Sequence, residues 1–379
     1  MIIQSKRVYC DELIAPRQIK IESGKITGVY PYGLFEADED YGDHLIMPGL
    51  IDIHNHGYDR GDNNHATSEW LKHWTKYLLN EGVTSTLATI SSAPYETLLK
   101  SLEVIGEFIK KENGDTEILG VYSEGPFIST DFRGAQSLEC KIIPTKEVID
   151  AFDEACGHGL KLVMLAPEEL AGDYSVIKYC VDKGIKVSLG HTGATFKICE
   201  EAIENGASSF THTFNGMRGL HHREPGVVGA AMIHEECYAE LICDGVHVNK
   251  VPAKILAEMK GKDHLILVTD SVAIKGMKPG VYKSEDRTTI VGEDGVGRLE
   301  DGTLAGSCNK LNKVLQFAIK SAKISTVTAM NAVTINPCRM LGINDKGLIA
   351  DGYDADIAVL DEEFEPVAVY KRGRCLLHR

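Results

Sequence analysis

No C-x-x-C pair occurs in this chain, and its ten cysteines lie singly along 379 residues. That scatter excludes a disulfide-stapled scaffold and fits reduced thiols. No uninterrupted apolar run is long enough to cross a membrane. Residues Met1 to Arg7 lead into no apolar core of the kind a secretory signal needs. Positive charge is the scarcer sign: 40 Lys and Arg stand against 55 Asp and Glu, for a net charge of −15. A field of that sign argues against nucleic acid or an anionic membrane as a partner. An anionic ligand would need a local basic site. Internal repeats and low-complexity segments are also lacking. These absences lead to the expectation of a cytoplasmic protein working on small molecules.

What is present is an alternation of strand and helix patterns, with 43% hydrophobic residues to fill a core. Ser68 to Glu81 places Trp70, Leu71, Trp74, Tyr77 and Leu78 at helical spacing, with Gly82 at the C-cap position. Val83 to Ile90 reads as a strand and Tyr95 to Lys111 as a helix. Leu160 to Leu165 is a strand, Ser175 to Lys183 a helix, and Thr195 an N-cap for a helix to Asn205. Further helices are expected after Pro252, over Leu311 to Ala322, and over Thr326 to Val333, ending at Asn336-Pro337. The pattern amounts to about eight βα units, the count of a closed parallel barrel with its strand C-termini on one face. Both chain ends are different in style. Arg17 to Tyr30 reads as a hairpin turning at Ser23-Gly24, and Ala355 to Asp361 and Pro366 to Tyr370 read as strands. The expected division is a β module from residues 1–46 and 348–379 beside a barrel over 47–347, with a hairpin insertion around 279–300.

The chemistry concentrates at strand ends. Ile51-Asp52-Ile53-His54-Asn55-His56-Gly57 closes an apolar strand with two histidines on one side. Two converging imidazoles suit a divalent metal such as zinc. Four more apolar runs end in the same manner, at Glu124, His191, His212 and Asp270. Each alone reads as well structurally: Glu124 paired to an arginine, His191 in a turn, Asp270 as an N-cap. At successive strand ends of one barrel they share a mouth. Glu124, His191 and His212 supply a carboxylate and two imidazoles, the ligand set of a catalytic metal. Asp270 sits where a general base could stand. His54 and His56 could hold a second ion or orient a substrate beside one ion. A basic, glycine-containing cluster lies near: Asn215, Gly216, Arg223 and His247 could grip a phosphate. Ion pairing of Arg223 with Glu224 or Asp244 is the plain alternative.

With these motifs assembled, the chain resembles the N-acetylglucosamine-6-phosphate deacetylases of the amidohydrolase superfamily. Agreement is densest in Pro48 to Gly57, Ser123 to Phe127, Gly190 to Thr195, Thr211 to Met217, His222 to Gly229, Asp244 to Val248, Val268 to Asp270 and Leu304 to Ser307. The resemblance implies a (β/α)8 TIM barrel of the metal-dependent hydrolase type, α/β in class, flanked by a small β-sandwich. It implies conversion of N-acetyl-D-glucosamine 6-phosphate to glucosamine 6-phosphate and acetate in a homodimer. Glu124, His191 and His212 would hold the principal divalent metal, Zn2+ before Fe2+ or another ion, with one or two per subunit. Asp270 would act as base and then acid. Asn215, Gly216, Arg223 and His247 would contact the sugar phosphate. Many members carry a histidine where this chain has Gln136, and that residue contacts the reacting carbonyl. Gln136 can donate through its amide but cannot become cationic. The same chemistry on N-acetylgalactosamine 6-phosphate or another acylated amine, or a non-catalytic scaffold, are the alternatives.

Overall fold

The computed structural model describes residues 1–283, 288–293 and 295–379. Eight strands follow one another in a single sheet. They are β1 (Leu50–Asp52), β2 (Val83–Ile90), β3 (Glu117–Ser123), β4 (Leu160–Leu165), β5 (Lys186–Leu189), β6 (Ser209–Phe210), β7 (Tyr238–Leu241) and β8 (Leu265–Leu267). Every pairing along this sheet is parallel. The first and last strands meet at a seam just beyond their ends. Asp270 N–H donates to the His54 carbonyl at 2.9 Å, and Asn55 bridges Ser271. Asp52 sews the same seam: its Oδ2 accepts from Thr269 Oγ1 at 2.6 Å and from Asn55 Nδ2 at 3.0 Å. This is the expected α/β barrel.

Burial on both faces explains the strand composition. All of β2 is buried, and its β-branched run needs no polar face. Ile51, Leu87, Tyr122, Leu162, Met164, Ile266 and Val268 pack with one another in one cluster, while a larger one lies against the helices. The helices obey local rules. Thr67 and Thr195 cap Ser68–Leu78 and Phe196–Glu204 by accepting from Trp70 N–H and Ile198 N–H. Gly82, at φ +76°, turns the chain into β2. Three helices escaped the sequence reading, Lys146–Ala155, Gly226–Ile233 and Ile335–Leu341. The second is apolar nearly all round because it is nearly all buried, so it shows no polar stripe. Asn336-Pro337 does not end a helix. It lies in the first turn of Ile335–Leu341, where proline's missing N–H costs nothing.

Both chain ends enter a second sheet, ordered Arg374–His378, Pro366–Lys371, Ile357–Leu360, Leu45–Pro48, Ile2–Cys10, Leu13–Glu22, Lys25–Pro31. Ile357–Leu360 runs antiparallel to Leu45–Pro48, so the two termini share one sheet. Its own core includes Ile3, Ile19, Ile26, Ile46, Ile357 and Val359. The insertion expected around 279–300 contains three antiparallel strands, Gly280–Lys283, Thr288–Val291 and Gly297–Leu299. Its residues 284–287 and 294 lie outside the described residues.

An ionic network ties the barrel to the β module. Glu117, which opens β3, lies 2.8 Å from Lys346 and 2.7 Å from Lys371. Lys346 also reaches Asp354 at 2.5 Å and Asp356 at 3.1 Å. Burial pushes the Glu117 carboxyl up, but Lys371 and Lys346 more than reverse this and hold it at about 2. Asp354 is likewise opposed by burial and brought to about 2 by Lys25 and Lys346. A carboxyl depressed from near 4.5 stabilises the fold above that pH and loses its contribution as pH falls towards 2. Chaotrope midpoints should therefore drop between pH 5 and pH 3, on the order of the unfolded carboxyl range. Lys346→Met should cost about 3–5 kcal/mol at neutral pH, since it leaves buried carboxylates behind. It should also make the acid arm shallower. An unchanged pH dependence in that variant would assign the acid sensitivity elsewhere.

Candidate active site

The strand ends converge on one carboxylate. Glu124 follows β3 directly. Its Oε1 lies 2.8 Å from His212 Nε2, 3.0 Å from His191 Nε2 and 3.6 Å from His54 Nε2. Its Oε2 lies 3.3 Å from His56 Nε2. Asp270 Oδ1 stands across the mouth, 3.2 Å from His56 Nε2 and 3.5 Å from His54 Nε2. All four histidines and Glu124 are buried. The five strand-end positions picked out in the sequence thus reach one point.

Electrostatics keeps the acids ionised. Burial pushes the Glu124 carboxyl up, yet the His191 charge and hydrogen bonds from His191, His212 and His54 hold it well below the usual range. Asp270 is also opposed by burial and lowered chiefly by His54, then by His56. In return, and against burial, Asp270 and Glu124 raise His56 to about 9.

The donor chemistry fits a metal. His191 Nε2 and His212 Nε2 face each other at 3.1 Å, with the Glu124 oxygen beside both. His54 Nε2 and His56 Nε2 face each other at 3.2 Å. A proton shared within a pair joins its two nitrogens and leaves the carboxylate oxygen beside them without a donor, whereas a cation answers the nitrogens and the oxygen together. Two such groups of side chains overlap at Glu124: Glu124 with His191 and His212, and Glu124 with His54, His56 and Asp270.

The second nitrogens set the orientation of two rings. His191 Nδ1 lies 3.1 Å from the Phe132 carbonyl, which can only accept, so Nε2 is the free lone pair. Gly216, at φ +58°, and Gly134 pass close to that ring. A Cβ on Gly216 would sit 2.9 Å from His191 Nδ1. His54 Nδ1 lies 2.8 Å from Glu240 Oε2. Glu240 was not among the expected site residues. Its one signal is a charge inside the apolar strand Tyr238–Leu241, where no charge belongs without a partner.

The other expected residues fall as follows. Gln136 is buried and faces Glu124: its Nε2 donates to the Glu124 carbonyl at 2.8 Å and to Oε2 at 3.2 Å. Its Oε1 accepts from Ser92 N–H at 3.0 Å and Ser92 Oγ at 2.5 Å. Asn215 is half-buried, with its N–H on the His212 carbonyl at 3.0 Å. His247 Nδ1 is held by Asp244 at 2.6 Å, and its buried Nε2 has no partner. Asp244 also receives Asn309 Nδ2 at 2.7 Å. Arg223 is exposed and touches His222 Nε2 at 2.8 Å. Among the described residues no ion pair joins it to Glu224 or Asp244. Glu224 instead accepts from the N–H groups of Phe196 and Gly226. Glu168 braces the turn after His191, accepting from Gly193 N–H at 2.5 Å and from the Thr192 hydroxyl.

Comparison with known proteins agrees with this geometry. The chain is 34% identical over 373 residues to the N-acetylglucosamine-6-phosphate deacetylase of Bacillus subtilis (strain 168), covering 96% of this chain and 93% of the relative. It is 29% identical over 380 residues to an N-acetylgalactosamine-6-phosphate deacetylase of Escherichia coli O157:H7, covering 98% of each. Its structure matches that of N-acetyl-D-glucosamine-6-phosphate deacetylase from Mycobacterium smegmatis in complex with N-acetyl-D-glucosamine-6-phosphate. The TM-score is 0.94 at 29% identity, over 100% of this chain and 99% of the other. The model of the amidohydrolase family matches residues 45–376. With a barrel, a shared buried carboxylate and these likenesses over its length, the chain belongs to the amidohydrolase family, in its branch of N-acetylglucosamine-6-phosphate deacetylases.

Proposed function

We propose that this chain hydrolyses the acetamide of N-acetyl-D-glucosamine 6-phosphate, giving D-glucosamine 6-phosphate and acetate. The observation that carries the reading is the single carboxylate of Glu124 shared among four buried imidazoles with Asp270 alongside. In this reading Glu124, His191 and His212 would hold the principal ion, and His54 and His56 would hold a second. Zinc suits the nitrogen and oxygen donors best. When bound, such an ion polarises a carbonyl and makes water more acidic. Asp270, kept ionised, takes the proton of the attacking water. It then returns that proton to the departing amine nitrogen as the C–N bond breaks, leaving acetate. In this reading Gln136, whose longer amide bond goes to Glu124 Oε2 at 3.2 Å, turns that bond over to the acetyl group.

Arg223 and His247, with Asn215 and Gly216, bind the phosphate in this reading. The support is electrostatic: Arg223 has no carboxylate partner among the described residues, and His247 keeps a buried Nε2 unpartnered. We further propose a homodimer and a cytoplasmic location. No helix among the described residues is long and apolar enough to cross a membrane. The likeness to the galactosamine-type relative favours one second reading, the same reaction on N-acetylgalactosamine 6-phosphate.

A chelator should abolish acetate release and a divalent metal should restore it. Asp270→Asn should lower kcat by about 10²–10⁴-fold, the range of a lost general base. Release that survives both treatments would refute the mechanism. Arg223→Ala should raise KM for the 6-phosphate sugar and leave the unphosphorylated sugar unaffected. An equal rise for both would remove the phosphate assignment. The ratio of kcat/KM for the two hexosamine phosphates decides between the substrates.

A further inference from the structure

Glu240 is as fully buried as any residue of the barrel, and its surroundings are unusual for a carboxylate. It projects from β7, which only β8 separates from β1 around the barrel. One oxygen, Oε2, takes two donors that belong to different candidate ligands: His54 Nδ1 at 2.8 Å and the backbone N–H of His212 at 3.1 Å. The other oxygen, Oε1, is buried with no hydrogen-bond partner. The Glu240 main chain joins in, accepting Thr213 N–H at 2.8 Å. A buried carboxylate so poorly neutralised is costly unless positive charge stands nearby.

Lysine and arginine do not supply that charge. Among the described residues, Asp52, Glu124, Glu240 and Asp270 form no ion pair with either type; the ion pairs of Glu124, Glu240 and Asp270 are all with histidines, and Asp52 bonds Asn55 and Thr269. Three carboxylates, those of Glu124, Glu240 and Asp270, therefore meet the imidazoles of His54, His56, His191 and His212. Ligating imidazoles are neutral, so one bound divalent cation would leave one of these three negative charges uncompensated, which a second would cover. Glu240 is the member of that set nearest to His54 and touches no other imidazole.

We propose that Glu240 is a positioning residue for a second metal subsite: it fixes His54 with Nδ1 protonated and Nε2 open, anchors the His212 backbone, and supplies the countercharge that lets His54 and His56 hold their own ion. A carboxylate behind a ligating histidine orients the ring and raises its basicity, and losing it weakens metal binding by about 10–100-fold. The proposal rests on the metal-centre reading above, but it assigns a specific task to a residue outside the ligand set.

Chelator-stripped wild type, Glu240→Gln, His54→Ala and the double variant are titrated with Zn2+ by calorimetry. Bound zinc is counted after gel filtration, and folding is followed by circular dichroism. Wild type should bind two Zn2+ per chain. Glu240→Gln should keep one tightly and lose about 10–100-fold in affinity for the other. In the His54→Ala background the same change should cost the second ion less than it does in wild type, because the orienting part of the effect runs through His54. Wild-type affinities for both ions in Glu240→Gln, or a wild type that binds one Zn2+, would overturn the proposal. A wild type that binds none would remove the metal-centre reading itself. Should Glu240→Gln fail to fold, histidine-selective 15N spectra of zinc-loaded wild type decide. They should show His54 with a protonated, hydrogen-bonded Nδ1 and an unprotonated Nε2, and the opposite tautomer would overturn the assignment.

Discussion

Everything at the barrel mouth is arranged around the carboxylate of Glu124. Placing a carboxylate in an apolar barrel is unfavourable by itself. It is tolerable here because imidazoles from three loops surround it: His54 and His56 after β1, His191 after β5, and His212 after β6. The dependence is mutual. Each imidazole would bury an unanswered lone pair or proton without the carboxylate. The barrel is what makes the arrangement available, since parallel strands deliver their C-terminal ends to one face. The seam bonds of Asp52 and Asp270 bring the first loop against the last, so that β1 and β8 contribute to the same point.

The backbone is strained where the chemistry is densest. His191, His212 and Asp270 all adopt left-handed conformations, at φ +43°, +29° and +49°. Such conformations cost of order 1–3 kcal/mol each in a residue with a Cβ. Each is held by hydrogen bonds from outside its own strand. Ser129 N–H donates to the His191 carbonyl at 2.8 Å, and Ser307 N–H to that of Asp270 at 2.8 Å. Glu240 accepts from His212 N–H. The turn away from strand geometry swings each side chain inward over the barrel axis rather than along the sheet. A site built this way spends stability gained elsewhere, such as the packed interior beneath it, on fixed positions for its reacting groups.

The strand-end residues were legible in the sequence because a polar group directly after an apolar run is a local pattern. Glu124, His191, His212, Asp270 and the His54–His56 pair all have that form. Barrel strands such as Val83–Ile90 and capped helices such as Ser68–Leu78 were legible for similar reasons. Glu240 was not, because its meaning depends on His54, 186 residues away. Asp52 and Glu168 escaped in the same way: each does its work across a seam or a loop, through partners no spacing rule connects. The helix Gly226–Ile233 was hidden by its own burial, which erases the periodicity that marks a helix.

Gln136 shows how a side chain's orientation comes only from its neighbours. The two ends of a carboxamide look alike, and hydrogen bonding must tell them apart. Ser92 decides here. Its backbone N–H can only donate, so the atom 3.0 Å away must be the amide oxygen. The nitrogen is then turned to Glu124, where both its hydrogens meet oxygen acceptors. A histidine at this position could compete with the neighbouring imidazoles for protons. The amide cannot, because it has no titratable group. Gln136 therefore braces Glu124 with one bond to its main-chain carbonyl and one to its carboxylate, without changing its own charge with pH. Any contact it makes with an acetyl oxygen is made at the expense of one of them, which couples substrate binding to the geometry of Glu124.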